Sequence, residues 1–253
     1  MSDLFLKQYE RKTEKAANKW QSLKLAAAAL VIVLILWNVE IFDPLLYPFR
    51  LFVTYIHEAA HGLMALITGG RIVGFTVSAN GSGLATTAGG WRALILPAGY
   101  LGAAFFGALL FYLTNRIRYP RILGFGLGIF LIGFSVLFAR PDQSGLPIAL
   151  MVGVVFGLIL IALAWKARIS INILVLNILA MLSALNAVLD VVFLTQNTGA
   201  AAGVVRNDAA AFSAEVLPFM PPVVWAVLWA AIALSMLLAA VYFGVIHPLR
   251  DVE

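Results

Sequence analysis

The stretch Tyr55-Ile56-His57-Glu58-Ala59-Ala60-His61-Gly62 places an H-E-x-x-H pattern inside a strongly apolar segment. On an α-helix, residues four apart lie on one face, so His57 and His61 bring two imidazoles to the same point. From Phe49 to Ile67, the only charged or imidazole side chains are Arg50, His57, Glu58 and His61. This length approaches the about 20 residues that a helix needs to cross a bilayer. The segment therefore predicts a membrane helix that carries a metal-binding pattern.

The pattern has a simpler alternative, because H-E-x-x-H also occurs by chance on solvated helices. In an apolar membrane helix that alternative is disfavoured, since Glu and His are costly in lipid and rare there unless they line a site. The chain has three histidines, and two of them belong to the motif. We interpret His57 and His61 as metal ligands and Glu58 as a general base that takes a proton from water.

The composition is that of a polytopic membrane protein. Of the 253 residues, 62% are hydrophobic and 11% are charged, whereas about a quarter of the residues are charged in soluble domains. The net charge of +5 does not indicate nucleic acid, because the basic residues precede or separate apolar runs, where they contact lipid headgroups. The chain has no cysteine, so His and carboxylate groups are the expected metal ligands.

The apolar runs predict an all-α polytopic membrane protein with about seven transmembrane helices. Residues 1–24 form a polar lead-in, residues 25–247 a single transmembrane domain, and residues 248–253 a tail. The predicted spans are 25–42, 49–68, 92–114, 121–139, 146–165, 171–195 and 223–247, with a polar loop over 196–222.

Residues 71–90 predict a β-hairpin directly after the motif helix. Two β-leaning stretches flank Asn80-Gly81, which is a strong two-residue hairpin signal. Irregular backbone at membrane depth must be shielded by protein or line a wet cavity, so the hairpin could reach the site and pair with an extended substrate. An ordinary surface hairpin is the alternative.

The basic clusters conflict with seven crossings. If residues 1–24 lie inside and every helix crosses, the clusters at 116–121 and 166–168 fall outside, against the positive-inside tendency. The sequence leaves open whether one segment before Arg116 fails to cross.

The third metal ligand must come from elsewhere, because a catalytic zinc site has three protein ligands. Most other carboxylates lie in tails or loops, but Asp190 stands alone within an apolar run, and Asn186 precedes it by four residues on the same face. An isolated aspartate in lipid indicates a functional site, so we predict that Asp190 is the third ligand. Asn186 would hold that carboxylate or polarise a substrate carbonyl. A buried hydrogen bond between Asn186 and Asp190 that only joins helices is the alternative.

Four sequence motifs resemble those of a known family. They are H-E-A-A-H-G-L-M-A-L-I-T-G-G at 57–70, A-G-Y-L-G at 98–102, N-x-x-x-D at 186–190 and N-D-A at 207–209. With the hairpin, they resemble the site-2 protease family of intramembrane zinc metalloproteases, and most closely its compact B-like branch. The resemblance implies that His57, His61 and Asp190 ligate Zn²⁺, that Glu58 is the catalytic base, and that transmembrane protein substrates are cleaved in the lipid bilayer.

The resemblance leaves a second function open. Better-known members have a glycine directly after the ligand aspartate, whereas Val191 stands here, and no PDZ-like insertion is present. A catalytically idle subunit that scaffolds a larger membrane complex is therefore the alternative. A metal or proton transporter is disfavoured, because the sequence shows no repeated halves. The expected location is the cytoplasmic membrane of a bacterium.

Overall fold

A computed structural model describes the backbone of residues 2–196 and 207–250, and the side chains of residues 20–186, 188–189 and 207–249. The described helices are α1 (Ser2–Asn38), α2 (Asp43–Ile67), α3 (Arg92–Arg116), α4 (Arg121–Phe138), α5 (Ile148–Lys166), α6 (Ile169–Gln196), α7 (Asp208–Glu215), α8 (Pro222–Val241) and α9 (His247–Arg250). A 3₁₀ turn, Glu40–Phe42, precedes α2, and a π-helical turn, Tyr242–Ile246, joins α8 to α9.

Six helical segments among the described residues are long and apolar enough to cross a membrane. They are Trp20–Asn38, Arg92–Arg116, Arg121–Phe138, Ile148–Lys166, Ile169–Asn186 and Pro222–Leu249. The motif helix α2 is 25 residues long but is not among the six, because Arg50 and the motif side chains lower its mean hydropathy. The predicted all-α membrane fold with a small hairpin is confirmed.

The basic clusters lie at the same end of the molecule as the start of the α1 span. Gln21 Nε2 donates to Ser170 Oγ at 2.9 Å, and Arg121 Nη2 donates to the Ala167 carbonyl at 2.8 Å. One cavity is lined by both Gln21 and Arg116. Gln21 and Arg116 can lie at the same end only if the chain crosses the membrane an even number of times between them. The two candidate spans in α1 and α3 give such a number. The conflict with the positive-inside tendency is thereby removed.

The hairpin forms where the sequence predicts it. Strands β1 (Arg71–Val77) and β2 (Gly83–Ala88) pair antiparallel, and Gly81 in the turn has φ +86°, which glycine adopts without strain. The outer edge of β1 is covered, because Arg140 N–H donates to the Phe75 carbonyl at 2.9 Å. The described sheet has only these two strands, so the outer edge of β2 has no strand beside it.

Aromatic contacts hold α2 against α4 and β1. The buried Tyr55 hydroxyl lies 3.0 Å from the Leu131 carbonyl and 2.8 Å from Ser135 Oγ. Its ring packs edge-on against Phe75, with the ring centroids 5.0 Å apart. A buried aromatic ring with a satisfied hydroxyl fixes the rotation of its helix as well as its depth. The motif, which begins two residues later, is thus presented in a defined direction.

Candidate metal centre

The two motif histidines point their Nε2 atoms at each other. His61 is buried, and its Nδ1 lies 2.6 Å from the Ile95 carbonyl, which can only accept, so the proton is on Nδ1. The His61 Nε2 atom lies 3.2 Å from His57 Nε2 and is available to bind a metal once it carries no proton. The ring of Tyr100 stands edge-on to His57 with centroids 4.8 Å apart and limits how far that imidazole can turn.

The third group at this point is Asp208, the first residue of α7. Its Oδ2 lies 2.9 Å from His57 Nε2 and 3.1 Å from His61 Nε2. Around a tetrahedral zinc ion with bonds of about 2.0–2.1 Å, ligand atoms lie about 3.3 Å apart. Burial alone would raise the pKa of the Asp208 carboxyl, but the charge of His61 and hydrogen bonds with both histidines hold that pKa well below its ordinary value. The group is therefore a carboxylate, the form that binds a metal.

Both ends of α7 are tied down, which positions Asp208. The Asn207 side chain caps the helix by accepting a hydrogen bond from Ala210 N–H at 2.9 Å. At the other end, Arg92 Nε and Nη2 donate to Glu215 Oε2 at 2.8 and 2.6 Å. A short helix held at both ends keeps its first residue at a fixed distance from α2 and α3.

Glu58 lies between two cavities. Its carboxylate is buried and accepts a hydrogen bond from the backbone N–H of Ala85 on β2. A cavity of about 370 Å³ lies between Glu58, β2 and α7, and one of about 430 Å³ extends from Glu58 towards Arg50 and the hairpin turn. His57, Glu58 and Tyr100 line both cavities. Glu58 is therefore accessible from two sides.

The structure brings His57, Glu58 and His61 together, and Asn186 lines the second cavity with His57 and Glu58. Asp190 lies on α6, but its side chain is outside the described residues, so its role as a ligand stays a prediction. The sequence does not single out Asp208 as a ligand, because an isolated carboxylate in an apolar run is a stronger signal than one in the polar loop 196–222. The available signal was the N-D-A run at 207–209, where an asparagine precedes a short helix.

Glycine is required where α3 and β2 approach the motif. A Cβ on Gly99 would overlap the Nε2 atoms of both His57 and His61. A Cβ on Gly83 would lie 2.6 Å from Glu58 Oε1, which is closer than real Cβ contacts. The backbones of α3 and β2 therefore form two walls of the centre.

Replacing Gly99 with alanine is expected to weaken zinc binding by about tenfold or more, as the loss of a group that orients a metal ligand does. The added methyl displaces both imidazoles, while the helical backbone at this position accepts alanine. Zinc content after dialysis against a weak chelator measures the effect.

The matched control is Gly133→Ala in α4, where nothing lies within 4 Å of the added Cβ. Unchanged zinc binding by Gly99→Ala would contradict a metal position between the Nε2 atoms of His57 and His61.

Comparison with known proteins identifies the family. A family model described as Peptidase M50B-like matches residues 26–240. The chain belongs to the Peptidase M50B-like family. The resemblance drawn from the H-E-A-A-H run is thus confirmed, and membership makes this chain an integral membrane protein of an intramembrane protease family. No curated protein and no solved structure matches the chain.

Proposed function

We propose that this member of the Peptidase M50B-like family is a zinc-dependent endopeptidase that cleaves transmembrane protein substrates within the bilayer of a bacterial cytoplasmic membrane. The observation that carries the proposal is the convergence of ligand atoms from His57, His61 and Asp208, all within 4.8 Å of one another, beside the carboxylate of Glu58. In this proposal Asp208, rather than Asp190, is the third ligand.

The donor set suits zinc. Two imidazoles and one carboxylate are the ligands of many catalytic zinc sites, which leave a fourth position open. The Ile95 carbonyl that accepts from His61 Nδ1–H is the kind of outer partner that metal-bound histidines have. Zinc held by these residues would polarise a peptide carbonyl and acidify a water molecule.

Glu58 is the proposed general base. As a carboxylate it takes a proton from the attacking water and passes it to the leaving amine. The hydrogen bond from Ala85 N–H holds the carboxylate in place. Asn186, which lines the same cavity as Glu58, is proposed to donate a hydrogen bond to the carbonyl oxygen of the substrate.

The outer edge of β2 is the proposed binding site for the cleaved segment. Gly83, Ala85 and Thr87 line the cavity that also contains Glu58. A transmembrane helix hides its backbone groups in its own hydrogen bonds, so the segment must unwind before attack. Pairing with β2 would satisfy the released backbone groups and hold the scissile bond beside Glu58.

The purified protein in detergent is expected to hold about one zinc per chain and to cleave at least one member of a panel of transmembrane peptides. A chelator should stop cleavage, and added zinc should restore it. His57→Ala is expected to lose the metal, whereas His247→Ala should keep it, because His247 lines a different cavity with α3 and α8 residues.

Protein that takes up no zinc would overturn the proposal. Protein that holds zinc but cleaves no peptide, with or without added metal, would favour the scaffolding subunit instead.

A further inference from the structure

A second polar cavity lies at the basic end of the molecule, away from the metal centre. It has a volume of about 400 Å³ and lies between the start of the α1 span, the end of α3, the start of α6 and the π-helical turn. Its polar lining includes Thr114, Arg116 and Arg118, and no Asp or Glu among the described side chains lines it. A cavity with two guanidinium groups and no carboxylate favours an anion.

Neither arginine has a charged partner among the described side chains. Arg116 and Arg118 are exposed, and neither belongs to an ion pair of the described side chains. The guanidinium of Arg118 lies 5.4 Å from the centroid of the Tyr119 ring, which holds it near the surface without neutralising it. Guanidinium forks match the geometry of phosphate oxygens, so these two side chains are suited to a phosphate group.

A buried hydroxyl without a partner provides an independent indication of a ligand. Thr114 is 2% exposed, lines the cavity, and its Oγ1 makes no hydrogen bond within the described part of the chain. Buried hydroxyls nearly always have a partner. A phosphate oxygen beside Arg116 would accept from this hydroxyl.

Arg116 lines an adjoining, mostly apolar groove as well as the polar cavity. Arg116 lines a further cavity of about 440 Å³ together with Tyr112, Ala239, Ala240, Phe243 and His247. The π-helical turn contributes Gly244 to the polar cavity and Phe243 to the groove, and such turns often occur at functional sites. A ligand with a charged head and an apolar tail would place the head in the polar cavity and the tail in the groove, with Arg116 between them.

We propose that this cavity binds the phosphate of an anionic phospholipid, with Arg116 and Arg118 at the phosphate, the Thr114 hydroxyl bonded to one phosphate oxygen, and an acyl chain in the adjoining groove. Basic pockets between membrane helices are known to bind lipid headgroups. The site is separate from the metal centre, so the proposal stands whether or not the chain is a protease.

Native mass spectrometry of the full chain in neutral detergent tests the proposal by titration with dioleoyl phosphatidylglycerol. The Kd of the first bound lipid is expected to rise about tenfold in Arg116→Gln and in Arg118→Gln. In Thr114→Val, which keeps the shape but loses the hydroxyl, it should rise about threefold. Arg168→Gln removes the same charge at the same end but outside the cavity, and its Kd should stay within about twofold.

Dioleoyl phosphatidylcholine and inorganic phosphate distinguish the sources of the phosphate. The zwitterionic lipid, which has the same acyl chains, should bind more weakly, and inorganic phosphate in molar excess should not displace phosphatidylglycerol. Equal losses in Arg116→Gln and Arg168→Gln, equal binding of the two lipids, or displacement by inorganic phosphate would each overturn the assignment.

Discussion

Replacing Asp208 with alanine is expected to remove zinc and proteolysis together. The substitution leaves two histidine ligands, and two ligands do not make a catalytic zinc site. The loss in zinc affinity should exceed the about 10–100-fold that follows removal of an outer partner of a metal ligand. Zinc content and peptide cleavage are measured on the same detergent-purified sample.

Asp190→Ala is the matched control, because it removes the same side chain from the residue that the sequence favours. Zinc retained in Asp190→Ala and lost in Asp208→Ala is the expected pair of results. The reverse pair would restore Asp190 as the ligand, with Asp208 then only a hydrogen-bond partner of the histidines. Loss in both variants would contradict a centre in which Asp208 alone completes the ligand set.

The features that local sequence determines could be predicted. Apolar runs of membrane length gave the helices, and Asn80-Gly81 gave the hairpin, because turn residues act over a few positions. The spacing of four residues placed His57 and His61 on one face, because an α-helix repeats about every 3.6 residues. Each of these features depends on neighbours along the chain.

The third group of the centre depends on distant residues. Asp208 meets His57 across a separation of 151 residues, and the packing of α7 against α3 and α8 brings them together. A rule that favours carboxylates inside apolar runs pointed to Asp190 and away from a polar loop. The role of Gly99 was hidden similarly, since its position over both imidazoles follows from how closely α3 packs on α2.

Replacing Glu58 with glutamine is expected to slow cleavage by about 10²–10⁴-fold while leaving zinc bound. Glutamine has nearly the same shape, and its amide oxygen can still accept from Ala85 N–H, so the hairpin should stay in place. The amide cannot take a proton from water, so the chemical step fails although the ligands are intact. Cleavage rate and zinc content are compared in one preparation, with the exposed Glu40→Gln as the charge-matched control.

The two variants together separate binding of the metal from its use. Asp208→Ala should lose zinc and cleavage, whereas Glu58→Gln should lose cleavage alone. Glu58→Gln that cleaves at the unmodified rate would exclude Glu58 as the base and leave Asp208 as the other described carboxylate that lines the cavity of about 370 Å³. Asp208 would then be the remaining candidate for the base, and an Asp208→Ala variant that keeps its zinc but loses cleavage would assign it that role. The proposed mechanism therefore requires that zinc binding depend on Asp208 and that proton transfer depend on Glu58.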